Sequence, residues 1–291
     1  MEIRKKVKII VCYHKHSFII NNSVYQPLHV GKETSRVNLP FQGDNEGENI
    51  SDRNCLYCEL TGLYWAWKHI NADFVGLAHY RRLYSFTSLK DRICDLGERI
   101  RYYSYTLIYG LVRPCGNFMY YPLSKTINSE SLLRNSIAEF ERGIVEYVDK
   151  HPEKKIFALH PVKIGNLTNF YFFALAGGRE HLRIIKDIVR TDYPNIYPFL
   201  EQTLKQNKLF YANMTIMQRD VFNEYCSFIF DVLDKHYNLC LEKGYYQSKE
   251  EKGWARLSGY MGEYLTSSFV LYYSSNNKSA LKLLSMVKCE F

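Results

Sequence analysis

The chain has 291 residues, which suits one α/β domain with an attached helical part and is short for two full domains. Hydrophobic residues make up 46% and charged residues 23%, so the chain supports a sizeable core and disorder is excluded as its default state. The net charge of +8 suits an anionic partner, but the basic residues are spread along the chain without a Lys/Arg tract, which argues against a nucleic-acid-binding stripe.

The opening MEIRKKVKIIVCYHK has a basic start and a short apolar stretch, and it reads as a first strand over 7–13 rather than as a signal peptide. Residues 21–53 are polar and rich in Gly and Asn, the pattern of a long functional loop. From Asn54, which can cap the start, Leu56, Leu60, Leu63, Tyr64 and Trp67 recur at helical steps. The C-x-x-C of Cys55 and Cys58 falls at the start of that helix. A second ligand pair at zinc spacing does not follow nearby. Asn71-Ala72-Asp73 makes a turn, and Phe74–Ala78 reads as a second buried strand, giving a parallel crossover unit.

Residues 85–128 carry no readable pattern, whereas Leu133, Ile137, Phe140, Ile144 and Val148 mark a helix. Strands are expected at Ile156–Leu159, Asn169–Ala176 and Phe210–Met217, and helices at about 179–191, 196–206, 222–233 and 256–268. In the tail, Lys278, Lys282 and Lys288 alternate with Leu281, Leu283, Leu284 and Met286, which fits either a basic amphipathic surface helix or a segment packed on its own domain. No apolar run approaches the roughly 18 residues that span a bilayer. The eight cysteines lack a repeating framework and are expected as reduced thiols in the cytoplasm.

Chemistry concentrates at two strand ends. Tyr13-His14-Lys15 closes the first strand and His79-Tyr80-Arg81-Arg82 the second, and ligands of open α/β sheets bind beyond such carboxyl ends. Two arginines can neutralise a diphosphate leaving group at the place where many nucleotide-sugar transferases use Asp-x-Asp and a metal. A pair of arginines flanking a strand in water is the blander alternative. The loop Gly43–Ser51 offers Asp44 and Asn49 for hydroxyls or a base edge, and it lacks the ligand series of a calcium loop. Glu263 shares a helical face with Arg256 and Gly259 and is a candidate base, although a helical Glu is more often solvated surface. Phosphate-loop, dinucleotide-loop and nucleophile-elbow signatures are absent from the sequence.

The blocks CYHK (12–15), GDNEGENIS (43–51), YCELTGLYWAWK (57–68) and GLAHYRR (76–82), with ANMTIMQRDVFNEYC (212–226) and the Arg256-x-x-Gly259-x-x-x-Glu263 pattern, resemble a bacterial capsular and exopolysaccharide biosynthesis family. That family was long described only as a domain of unknown function, and its members include galactofuranosyltransferases. The resemblance implies an α/β, GT-A-like fold with a single Rossmann-type nucleotide-binding domain. In that reading, residues 1–84 form the nucleotide-binding core, 85–155 a variable helical region, and 156–291 the acceptor side and last helices.

The resemblance also implies a UDP-galactose donor, galactofuranose ahead of galactopyranose, and a lipid-linked or oligosaccharide acceptor in capsule, O-antigen or exopolysaccharide. Tyr13, His14, Lys15, Asp44, Asn49, Tyr80, Arg81, Arg82, Asn213 and Arg256 carry over as donor-binding residues, and His79 and Glu263 as catalytic ones. No metal is expected to be required, with manganese as the alternative. The implied location is cytoplasmic, at or near the inner face of the membrane. The competing reading is a non-catalytic nucleotide-sugar-binding scaffold. Departures from the family pattern fall at 176–181, at Glu263-Tyr264 and across 85–128.

Overall fold

In the computed structural model the described residues are 5–85, 119–120, 124–164, 168–173, 178–245 and 255–291, with a few single positions between 96 and 107. The unreadable stretch 85–128 therefore lies almost wholly outside them.

The chain opens with β1 (Val7–Tyr13) and β2 (Tyr25–His29), followed by the short α1 (Asn54–Tyr57) and then α2 (Leu60–His69). Next come β3 (Phe74–His79), β4 (Arg82–Ser85), β5 (Met119–Tyr120), β6 (Ser124–Ile127) and the long α3 (Glu130–Lys150). The middle holds β7 (Ile156–Leu159), β8 (Val162–Ile164), α4 (Asn169–Phe173), α5 (Arg179–Asp192) and α6 (Tyr197–Lys205). The rest is β9 (Lys208–Leu209), β10 (Thr215–Gln218), α7 (Arg219–Glu242), α8 (Leu257–Asn276) and β11 (Leu281–Cys289).

Eight of these strands form one mixed sheet. β1 lies parallel to β2 on one side and to β3 on the other. β10 runs antiparallel to both β3 and β7, and β11 continues parallel to β7. β4 pairs antiparallel with β11 and touches β3 only at its first residue. A small antiparallel sheet of β5, β8 and β9 sits apart.

Alternation along the strands explains the layering. In β1, Ile10 and Cys12 face one core with α2, α5, α7 and α8, while Ile9, Val11 and Tyr13 face a second core with α3. Both faces are covered, so β1 and β3 read as continuous apolar runs. The expected crossover of strand, helix, strand is present as β1, α2 and β3.

Several expectations need correction. The polar region 21–53 contains β2, hidden by Pro27; β2 ends the strand order, where a missing N–H is tolerated. The helix from Asn54 is broken at Cys58, whose φ of 51° interrupts it, and Asn54 donates its side-chain amide forward to the Cys58 carbonyl rather than capping. Asn169–Phe173 is helical, not extended, despite its aromatic run. Of the two readings of the tail, the segment packed on its own domain holds, as a strand and not a surface helix: β11 lies in the main sheet, flanked by β7, β4 and β6. The 256–268 helix runs on to Asn276, and the strand expected at 210–217 begins only at Thr215.

Candidate active site at the strand ends

β1 and β3 run in register with Cys12 opposite His79, so both end at one edge of the sheet. The segment His79–Arg82 is a two-residue hairpin turn closed by pairing of His79 with Arg82. The turn fixes both arginines beside the residues that follow β1. The Tyr80 ring is the hub of this arrangement. It stacks on buried Tyr13 at 5.7 Å and meets the His14 ring edge-on at 5.4 Å. The Lys15 ammonium and Arg81 guanidinium lie over it at 5.9 and 5.6 Å. Arg82 covers the Tyr211 ring at 5.2 Å. Cation–π contacts of this kind orient cations without consuming their charge.

The opposite wall is the start of α8. Arg256 precedes it with φ of 68°, its N–H donating to the Cys55 carbonyl at 2.8 Å, and its guanidinium lies 5.7 Å from the Tyr260 ring. Two turns on, Glu263 is 8% exposed. Its Oε1 accepts from the Ala212 N–H at 2.9 Å. His79 Nε2 donates to the Ala212 carbonyl at 3.0 Å. Ala212 and Asn213 both lie in the left-handed region, at φ 62° and 52°, a backbone cost that such contacts hold in place.

Burial and the nearby Glu59 carboxylate raise the Glu263 pKa to about 8, against the pull of the Ala212 N–H, Arg82 and Arg256. Desolvation lowers the His79 imidazole pKa, against the pull of Glu59 and the Ala212 carbonyl, and it lowers His14 too, helped by Lys15, His79, Arg256 and Arg81.

These walls enclose a cavity of about 580 Å³. His14, Lys15, His79, Tyr80, Arg81, Arg82, Arg256 and Glu263 all line it, as the sequence led one to expect. Four expected donor residues do not line it and act from behind. Tyr13 donates its hydroxyl to Phe18 O at 2.9 Å and accepts from Ile20 N–H at 2.9 Å. Asp44 is buried and accepts from the N–H groups of Gly31 and Lys32, at 2.9 and 3.1 Å, and from the Ser51 hydroxyl. Asn49 folds its own loop, donating to Gly47 O at 2.8 Å and accepting from Ser51 N–H at 3.0 Å. Asn213 is fully buried and saturated: it donates to Glu59 Oε1 at 2.9 Å and Gly259 O at 3.1 Å, and accepts from Thr266 at 3.0 Å.

Sequence reasoning missed Glu59, Tyr211 and Tyr260 as lining residues. Glu59 stands at the N-cap of α2, where an acid reads as ordinary helix chemistry. Its link to Asn213 was the signal, and only the folded chain shows it. Burial, with Glu59 next, pushes the Cys58 thiol up to about 11, so it is a poor nucleophile. Among the described residues, Glu59, His79 and Glu263 do not bring three ligand atoms within 4.8 Å of one another, as a closed metal centre would.

Fold and site together define a mixed α/β domain with a cavity at its parallel strand ends that is lined by cationic side chains and a buried carboxyl. The fold resembles that of the bifunctional glycosyltransferase WbbM in its apo structure, with a TM-score of 0.73 and 22% sequence identity. The likeness covers 98% of this chain and 46% of that one, so the chain spans less than half of that protein's length. No curated protein matches the chain. Residues 8–276 match the family described as a domain of unknown function, DUF4422, and the chain belongs to that family.

Proposed function

We propose that the chain is a GT-A-like glycosyltransferase domain that moves a sugar from a UDP donor to a saccharide acceptor. The carrying observation is the convergence of Lys15, Arg81, Arg82 and Arg256 on one cavity that also presents the Glu263 carboxyl. Four cations suit a diphosphate in place of a metal. A cavity of about 580 Å³ is in the range of small-molecule sites. The fold likeness to a glycosyltransferase and the sequence resemblance to polysaccharide-building enzymes support the same reading.

In the proposed reaction the acceptor hydroxyl oxygen attacks the sugar C1, the bond from C1 to the phosphate oxygen breaks, and UDP leaves. The hydroxyl proton passes to Glu263, whose raised pKa of about 8 suits a base near neutral pH. His79 holds the Ala212 peptide from its other side. Most donor-side groups come from residues 1–84, while Arg256 and Glu263 belong to the later stretch. Galactose, as furanose ahead of pyranose, is the proposed sugar, and a capsular, O-antigen or exopolysaccharide chain, free or lipid-linked, the acceptor. Among the described residues no helix is long and apolar enough to cross a membrane. We place the enzyme in the cytoplasm, at the inner membrane face where such acceptors are built.

Calorimetric titration with UDP, UDP-galactopyranose and UDP-galactofuranose, first in EDTA and then with manganese, tests this. Binding in EDTA, strongest for UDP-galactofuranose, is expected. Binding only with manganese would overturn the arginine-for-metal role. No binding under either condition would overturn the donor site.

A further inference from the structure

Away from the cavity, three metal-ligating side chains converge between two helices. His181 belongs to α5, and His236 and Cys240 to α7, one turn apart on the same face. All three are buried to 0% exposure. His181 Nδ1 and His236 Nε2 are 2.9 Å apart. The Cys240 Sγ lies 3.6 Å from the first and 3.5 Å from the second.

These are close to the dimensions of a zinc corner. With Zn–N of about 2.0–2.1 Å and Zn–S of about 2.3 Å, a tetrahedral centre separates nitrogen from sulfur by about 3.6 Å and nitrogen from nitrogen by about 3.3 Å. The two N–S edges already match. The N–N edge opens by a few tenths of an ångström when a metal replaces the proton now shared by the rings. One thiolate and two imidazoles form a borderline-soft set that selects zinc over magnesium or calcium.

We infer that His181, His236 and Cys240 bind a divalent transition-metal ion, zinc first, as a structural clip joining α5 to α7. The clip is independent of the proposed sugar transfer, because none of the three residues lines the donor cavity.

The test uses untagged, full-length protein. Elemental analysis after growth with zinc is expected to give about one zinc per chain. Chelator-treated protein titrated with cobalt(II) is expected to show tetrahedral visible bands and a thiolate-to-cobalt charge-transfer band. Cys240→Ser is expected to lose the charge-transfer band and to weaken cobalt binding about tenfold or more, with UDP affinity unchanged. The wild-type titration needs no variant to fold. Absence of both zinc and a cobalt spectrum would overturn the inference. A spectrum that Cys240→Ser leaves unchanged would overturn it equally, by placing the metal elsewhere.

Discussion

His79 and Glu263 grip opposite ends of one residue: the Ala212 carbonyl accepts from His79 Nε2 at 3.0 Å and the Ala212 N–H donates to Glu263 Oε1 at 2.9 Å. The end of a strand and the second turn of a distant helix are thereby locked in register through a single strained peptide.

The first prediction concerns stability. The Glu263 pKa is raised from 4.5 to about 8. Below pH 4.5 folded and unfolded chains are both protonated. Between the two values the unfolded chain loses its proton first, so stability falls as pH rises through this window and levels off above it. By linkage the loss is on the order of 5 kcal/mol. Glu263→Gln, neutral throughout, is expected to melt above wild type at pH 9 and close to it at pH 4. Calorimetric melts across this range check it, and equal gaps at both pH values would refute the buried carboxyl's role.

The same substitution addresses catalysis. If Glu263 takes the acceptor proton, turnover rises with pH and reaches a plateau above about 8. Glu263→Gln should then lose roughly 10²–10⁴-fold in kcat with KM for the donor little changed. UDP release measured from pH 6 to 9 decides this, and a variant that keeps the wild-type profile excludes Glu263 as the base.

Arg81, Arg82 and Arg256 reach the cavity from two different elements. Replacing any one by Ala should weaken UDP binding by about 1.5–3 kcal/mol, roughly 10–100-fold, because each supplies a charged hydrogen bond. The affinity of wild type should also fall with added salt. Titrations of the three variants read this directly, and unchanged UDP affinity in all three would move the diphosphate elsewhere.

Asp44 separates a supporting role from a binding role. Its carboxylate holds the Gly31 and Lys32 N–H groups and the Ser51 hydroxyl, well inside the protein. Asp44→Ala should cost about 2–4 kcal/mol in denaturant melts by orphaning those donors. Folded variant should bind UDP within about twofold of wild type. A stable variant with lost binding would return Asp44 to the donor site.

Much of this was legible from the residues. The continuous apolar runs at 7–13 and 74–78 located β1 and β3, and the polar groups after them located the cavity's main wall. Arg256 and Glu263 were expected on one helix face; both line the cavity, but Arg256 does so from the left-handed residue just before the helix. What stayed hidden depends on long-range contact. Tyr13, Asp44, Asn49 and Asn213 have side chains suited to a ligand, but each spends its hydrogen bonds on the protein itself. Nothing local in a Glu at a helix start marks Glu59 as lining the cavity. β2 and β11 escaped because Pro27 and interspersed lysines break the strand pattern, and only pairing with neighbours overrides that local bias.

The pairing of β4 with β11 has a consequence for the order of synthesis. Cys289 N–H bonds the Arg81 carbonyl at 2.9 Å, and Lys288 stands opposite Arg82. The turn that carries both arginines is made early, but its anchor follows about two hundred residues later, and such distant pairings form slowly. A nascent chain that has already packed β1, α2 and β3 still lacks the strand that holds the arginine turn. Anion affinity should therefore appear on the ribosome as a late, single step. A truncated product ending before Leu281 would carry every lining residue without having a working pocket.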